Sequence, residues 1–401
     1  MTISANPVRT PFTPGTPQAQ ASALVPLLRK NAAQCESDRR LPAENVEALA
    51  DAGLFNLTVP RRFGGQEANF RTFLEVGAEL GRGCGSTAWV YTLINVGNWM
   101  AGLYGDRAQR EVWGADPNAR VCGVLAPNAT SRAVDGGQIV TGRWGFASGC
   151  LHAQWAIQGI PVVDQSGQQI DQGFALIPMS ELTIEDTWYV AGMRSTGSYT
   201  LVADEVFVPD HRIVSALQAT EGIYPTEHKN ETLYRSALHP VLALVLAGPQ
   251  LGLARGGLEL VMDSLAKGKG LAYTFYERAA DAPSVQIQIA KAAQLIDTAE
   301  LHLLRAADDI DRWASREEYM PLLNRARVRM DTGYVATRAR DAINLLLNVG
   351  GASGFAEANP LQRVWRDQET GSRHGVVNPS VATELYGRAL LGIKEQITPL
   401  I

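Results

Sequence analysis

Three short segments and one histidine hold most of the chemistry legible in this chain. The first runs Gly142-Arg143-Trp144-Gly145-Phe146-Ala147-Ser148-Gly149, with His152 and Trp155 just beyond. Its aromatic rings offer flat apolar area and its serine a hydroxyl, a combination suited to walling a planar heterocycle, with Ser148 bonding a ring nitrogen or oxygen. On local pattern alone the same run also reads as a strand with core aromatics and a turn. The second comprises Trp188, Gly192-Met193-Arg194-Ser195-Thr196-Gly197-Ser198 and Val206-Phe207-Val208-Pro209. Its glycines and serines let backbone approach a ligand closely. The third, Gly350-Gly351-Ala352-Ser353-Gly354-Phe355, leads to Trp365-Arg366-Asp367 and then to His374. A histidine titrates near neutrality and can pass a proton either way. His152 reads as structural, and His211, His228, His239 and His302 take no functional role.

Other chemistries lack motifs. No GxGxxG follows a strand, and there is no P-loop and no HExxH. No cluster has metal-ligand spacing, so no metal is expected. The 401 residues are 46% hydrophobic and 19% charged, an ordinary globular balance, with a net charge of −5 that gives no basic surface for nucleic acid or anionic lipid. Cys35, Cys84, Cys122 and Cys150 form no CxxC pair and read as buried thiols of a reducing cytoplasm. The first twenty residues lack the apolar core of a signal peptide. The longest strongly apolar run, 241–247, is far short of the ~20 residues that span a bilayer.

Three regions must position these residues. Residues 21–119 have helical spacing, including a segment over 86–104 that is apolar all round and therefore buried. Residues 120–215 change to short β-rich runs separated by Gly and Asp turns, as in an antiparallel sheet or small barrel. Residues 232–401 are helical again, with long periodic segments over 238–265, 285–314, 321–347 and 380–397, a four-helix bundle. The polar stretch 218–230 is the connection.

In order, Val59-Pro60, Gly64-Gly65, the segment from Trp144 to Gly149, Gly192, Arg194, Thr196-Gly197-Ser198, Phe207-Val208-Pro209 and Arg366-Asp367 resemble the acyl-CoA dehydrogenase superfamily from about residue 21 onward. The resemblance implies an α+β fold: an N-terminal helical domain, a central antiparallel β domain and a C-terminal four-helix bundle, assembled as a homotetramer. Many of these dehydrogenases place a catalytic Glu shortly after the Arg-Asp pair. Here that place falls at His374 or Gly375, and Glu369 comes too early. The family's arginine for the FAD pyrophosphate is not evident over 273–278, which favours FMN.

The segment from Trp144 to His152, with a His after the Arg-Asp pair, is similar to the oxygenase components of two-component flavin-dependent monooxygenases, the branch of p-hydroxyphenylacetate hydroxylase and dibenzothiophene monooxygenase. That branch takes reduced flavin from a separate reductase, forms a C4a-hydroperoxyflavin with O2 and hydroxylates an aromatic or heteroaromatic small molecule. The resemblance implies catalytic roles for Ser148, near flavin N5, and His374, near the hydroperoxide. It implies cofactor contacts from Trp144, Phe146, Ala147, Ser148, Gly149, Trp188 and Ser353, and reduced FMN, with FAD as the alternative. Phenol-hydroxylating members often carry a His in the buried first-domain helix. Aligning on Trp89 and Trp99 puts Gly97 there, with Asn95 and Asn98 beside it. A buried Asn is costly unless bonded, so Asn95, Asn98 and Trp99 are the substrate-facing candidates. A substrate other than a simple phenol then stays open, N- or S-oxygenation of an amine or thioether included. So does the dehydrogenase chemistry of the wider family.

Overall fold

A computed structural model describes residues 12–316 and 318–401. Among the described residues five helices come first: α1 (Pro17–Asp38), α2 (Ala43–Asp51), α3 (Phe70–Gly83), α4 (Gly85–Ala101) and α5 (Asp106–Trp113). Side-chain caps start two of them. Thr16 accepts the Ala19 N–H ahead of α1, and Asn69 accepts the Thr72 N–H ahead of α3. Helix α4 carries no charge and is buried on nearly every side.

Eight strands follow: β1 (Val121–Val124), β2 (Ala129–Val134), β3 (Gly137–Trp144), β4 (Trp155–Val163), β5 (Gln169–Pro178), β6 (Thr183–Glu185), β7 (Thr200–Pro209) and β8 (Ile213–Ser215). They make two four-stranded sheets, ordered β1-β4-β5-β8 and β2-β3-β7-β6. Every pairing is antiparallel except β1 with β4, which is parallel. A separate apolar core containing Trp144, Ile160, Ile177 and Leu201 lies within this region.

The chain then returns to helices: α6 (Ala216–Thr220), α7 (Leu238–Leu244), α8 (Ala247–Ala266), α9 (Pro283–Ala314), α10 (Leu322–Gly350), α11 (Pro360–Gly371) and α12 (Pro379–Leu390). The first and last helical regions share one continuous core, with α3 packed along α8. The stretch Leu238–Ala266 has the length and apolarity to cross a membrane, but 89% of its most apolar window is buried inside the fold. The expected helix over 380–397 stops at Leu390, and Gly392 takes φ 68°. The chain beyond runs back toward α10, where Arg325 donates to the Ile401 carbonyl at 3.0 Å.

Two glycines set how the regions meet. At Gly97 a Cβ would lie 2.1 Å from the Val121 carbonyl oxygen, so β1 packs directly on the backbone of α4. That contact leaves no room for a side chain at position 97. Gly97→Ala is expected to lower stability by about 1–3 kcal/mol through overpacking, seen as a lower urea midpoint at unchanged slope. At Gly192 a Cβ would lie 2.0 Å from the Arg366 carbonyl oxygen, which presses the loop before β7 against α11.

Candidate active site

The β domain, α4, α7 and the end of α11 line an open cavity of about 1080 Å³. That is at the top of the range for small-molecule sites, with room for a ring system and a second molecule. Helix α4 contributes Trp89, Leu93, Val96, Gly97 and Met100 to its wall, and α7 contributes His239 and Leu242. Phe146, Ser148, Trp188, Met193, Thr196 and Ser198 line it from the β domain. The Phe146 and Trp188 rings meet edge to face, centroids 5.3 Å apart.

Ser148 ends a chain of hydroxyls whose direction is fixed. Thr196 Oγ1 donates to the Met193 carbonyl at 2.8 Å. Thr196 Oγ1 and Ser198 Oγ are 2.7 Å apart, and Ser198 Oγ and Ser148 Oγ are 2.6 Å apart. A hydroxyl has one hydrogen. Because Thr196 commits its own to Met193, Ser198 donates to Thr196 and Ser148 donates to Ser198. Ser148 is left with lone pairs only, so it accepts from a ligand N–H. The turn that presents it needs Phe146 at φ 65° and Gly149 at φ 84°.

The Met193 carbonyl is itself held. It also accepts the Trp188 indole N–H at 3.0 Å, and the Met193 N–H donates to Asp367 Oδ1 at 2.6 Å. Arg366 bonds the Ala191 carbonyl and pairs with Glu36. The Arg-Asp pair therefore joins α11 to the loop that orients Ser148. Burial, with Cys84 and Glu36 nearby and Arg363 opposing, pushes the Asp367 carboxyl from its ordinary 3.8 up to about 7. The folded chain keeps that proton at pH values where the unfolded chain has lost it, so this group's stabilising effect is lost as pH rises from about 4 to 7. Asp367→Asn keeps an acceptor for Met193 and removes the titration. Its thermal midpoint relative to the parent is expected to rise between pH 5 and pH 8, and a constant difference would refute this.

His374 follows the end of α11 and lines the cavity. It is an exposed residue on the cavity rim, and desolvation by the protein packed around it lowers its pKa, so it is neutral at pH 7. Trp89 tilts toward it at 6.2 Å between centroids. Neither ring nitrogen has a hydrogen-bond partner among the described residues. Glu369 also lines the cavity, but its carboxylate is paired with Arg373.

Of the residues singled out from sequence, Phe146, Ser148, Trp188 and His374 come together on this cavity. Trp144 does not. It is fully buried in the β-domain core and donates to the Gly159 carbonyl at 2.9 Å. Ala147 and Gly149 lie in the turn beneath Ser148. Ser353 sits after α10, donating to the Gly350 carbonyl, beside a smaller hollow that shares only Trp365 with the main cavity.

The three expected substrate contacts are corrected by the structure. Asn95 donates to the carbonyls of Leu54 and Tyr91. Asn98 donates to the Phe55 carbonyl and accepts the Val121 N–H, and Trp99 donates to the Leu233 carbonyl. Backbone groups satisfy all three side chains on the faces of α4 away from the cavity. Sequence reading passed over Trp89, Thr196, Ser198, His239 and Arg329 as site residues. Thr196 and Ser198 stand in the Gly192–Ser198 motif. His239 gave one signal, a polar residue opening an apolar helix.

Two family models match the chain: the acyl-CoA dehydrogenase N-terminal domain over residues 24–116 and its C-terminal domain over 244–379. The oxygenase subunit HsaA of a flavin-dependent monooxygenase of Mycobacterium tuberculosis is 36% identical over 374 residues, 92% of this chain and 94% of that protein. The oxygenase component of an FADH(2)-dependent resorcinol hydroxylase of Rhizobium sp. is 34% identical over 387 residues, 94% of each. The structure of XiaF from Streptomyces sp., in complex with FADH2 and glycerol, superposes with a TM-score of 0.89 at 34% identity, covering 96% of both chains. With this cavity geometry and these matches, the chain belongs to the acyl-CoA dehydrogenase family, in the branch of oxygenase components of two-component flavin-dependent monooxygenases.

Proposed function

We propose that this chain hydroxylates an aromatic small molecule with O2 and a reduced flavin delivered by a reductase on a separate chain. The observation that carries the reading is that Ser148 and His374 line one largely apolar cavity, in a chain that matches such oxygenases over nearly its whole length.

The residues fit a flavin ring. Reduced flavin carries a hydrogen on N5, and Ser148 offers lone pairs and no proton. Phe146 and Trp188 supply aromatic wall on the same side. When bound, the reduced flavin supplies the electrons that activate O2. Trp89, Leu93 and Val96 keep water from the reacting atoms. Neutral His374 takes a proton from the substrate and returns it. Thioester dehydrogenation is disfavoured because Glu369, the acidic group nearest His374 in sequence on this wall, is tied to Arg373. Both FMNH2 and FADH2 are suitable probes; of the named relatives, the resorcinol hydroxylase is FADH(2)-dependent and XiaF is in complex with FADH2. A homotetramer and a cytoplasmic setting belong to the same reading. The bare Tyr273 and Phe275 rings between α8 and α9 support an intermolecular contact.

The test is anaerobic mixing with FMNH2 or FADH2, then O2, followed by stopped-flow absorbance. A transient near-ultraviolet band lasting seconds before oxidised flavin appears is expected. Immediate reoxidation with both flavins, with and without a panel of phenols, would overturn the reading.

A further inference from the structure

The cavity has a second polar end that the oxygenase reading does not use. Helices α7 and α8 run antiparallel to α4. Gln250 of α8 lies near Gly371, as does Trp89 of α4, at the His374 end. Tyr234, five residues before His239, packs on Gly102 past the other end of α4. Gln250 follows His239 by eleven positions, roughly 16 Å when the helical rise is carried through the two-residue turn between α7 and α8. His239 thus stands at the far end of the cavity, with Arg329 of α10 and with Pro399 and Leu400.

The hydrogen-bonding state of His239 is fixed by its neighbour. Thr220 Oγ1 donates its only hydrogen to the Ala216 carbonyl at 2.9 Å. His239 Nε2, 2.9 Å from the same oxygen, must therefore carry the hydrogen and donate it. Nδ1 is left as a bare lone pair, without a partner among the described residues. Burial and the nearby Arg329 and Arg325 hold the pKa at about 4, so the ring stays neutral. Arg329 is 2% exposed, bonds the Leu400 carbonyl and has no carboxylate partner among the described residues. A buried cation without a counter-charge is costly and favours a ligand that supplies an acceptor.

An acceptor lone pair beside a cationic donor suits a group that both donates and accepts. A hydroxyl does so, its hydrogen on His239 Nδ1 and its oxygen toward Arg329. A carboxylate would suit Arg329 but set its lone pairs against Nδ1. We propose that His239 and Arg329 form a distal subsite for a hydroxyl group of an elongated substrate, whose aromatic ring lies at the Ser148 and His374 end and whose apolar body crosses Leu93, Val96 and Leu242. The inference rests on the reading of this cavity as the oxygenase's substrate chamber. It adds a requirement at the end remote from the reacting ring.

The test is calorimetric, on the flavin-free protein and on the protein loaded anaerobically with reduced flavin. The probes are three phenols with a para eight-carbon chain ending in hydroxyl, methyl or carboxylate. The hydroxyl probe is expected to bind about tenfold tighter than the methyl probe, and tighter than the carboxylate. In His239→Leu that preference falls to within about twofold. His239→Asn, which keeps an acceptor, retains part of it, and Thr220→Val, which frees the tautomer, weakens it. Equal binding of hydroxyl and methyl probes, tighter binding of the carboxylate, no binding of any probe, or an unchanged preference in His239→Leu would each overturn the subsite. Flavin titrations and O2 reactions of the same samples report on the oxygenase reading separately, so failure of the subsite is distinguishable from failure of that reading.

Discussion

Replacing His374 by Ala is expected to lower product formed per flavin oxidised by about 100-fold, the lower range for loss of a proton-transfer group, while flavin reoxidation continues and hydrogen peroxide replaces product. The ring lines the cavity and is neutral, and neither nitrogen is committed to a partner among the described residues. Nothing else on this wall matches it: Glu369 is tied to Arg373, and Asp367 is buried against the Met193 N–H. Since the side chain makes no hydrogen bond to the protein, its loss should leave the thermal midpoint within a few degrees of the parent, which separates a chemical effect from a folding one. The pH dependence is a second readout. Desolvation lowers the pKa, so the acid limb of the product-forming rate should lie below the ordinary histidine range near 6.5. Above it the neutral ring is available to accept the proton. The same depressed pKa makes His374 a source of stability present above pH 6.5 and lost as pH falls. Unchanged coupling in His374→Ala, or an acid limb that survives the substitution, would remove the role.

How much of this was legible in sequence follows from what periodicity can and cannot encode. The helix–sheet–helix order was readable because the apolar spacing changes near residues 120 and 215. Strands β2 and β6 were missed because no residue in either is fully buried, so no apolar alternation marks them. Helix α11 was read only as a motif. It is short and mostly polar, and its buried side is spent on Asp367 and Gln368. Helix α4 was correctly read as buried. A helix apolar on every face gives no sign of which face meets a cavity, so Asn95, Asn98 and Trp99 were assigned to the pocket. In the fold, Trp89, Leu93, Val96 and Met100 recur at helical spacing along the cavity, while the asparagines hold loops and β1 in place. Trp144 illustrates the same limit in the sheet. It is adjacent to cavity residues in sequence, but alternation along β3 turns it into the β-domain core.

Ser148→Ala and Ser198→Ala should change flavin affinity in different redox states, a pattern that only an oriented hydroxyl chain produces. Oxidised flavin has a bare N5 that accepts, and reduced flavin has an N5–H that donates. The parent Ser148 has its hydrogen committed to Ser198, because Ser198 must donate to Thr196 and Thr196 to the Met193 carbonyl. It therefore favours the reduced state. Ser148→Ala removes the acceptor and should weaken reduced-flavin binding by about fivefold, the worth of one neutral hydrogen bond, with little change for oxidised flavin. Ser198→Ala leaves Ser148 in place but frees its hydrogen. Ser148 can then donate to oxidised N5, so oxidised-flavin binding should tighten by about the same factor while reduced-flavin affinity holds. Both constants come from anaerobic and aerobic equilibrium titrations and do not depend on turnover. The direction of the chain is set by Met193, whose N–H is held by Asp367 and whose carbonyl also takes the Trp188 indole N–H. The redox preference thus depends on α11, the helix that also delivers His374. If Ser198→Ala leaves oxidised-flavin affinity at the parent value while Ser148→Ala weakens both states equally, the hydroxyls pack against the ring without direction, and the preference for reduced flavin has another origin.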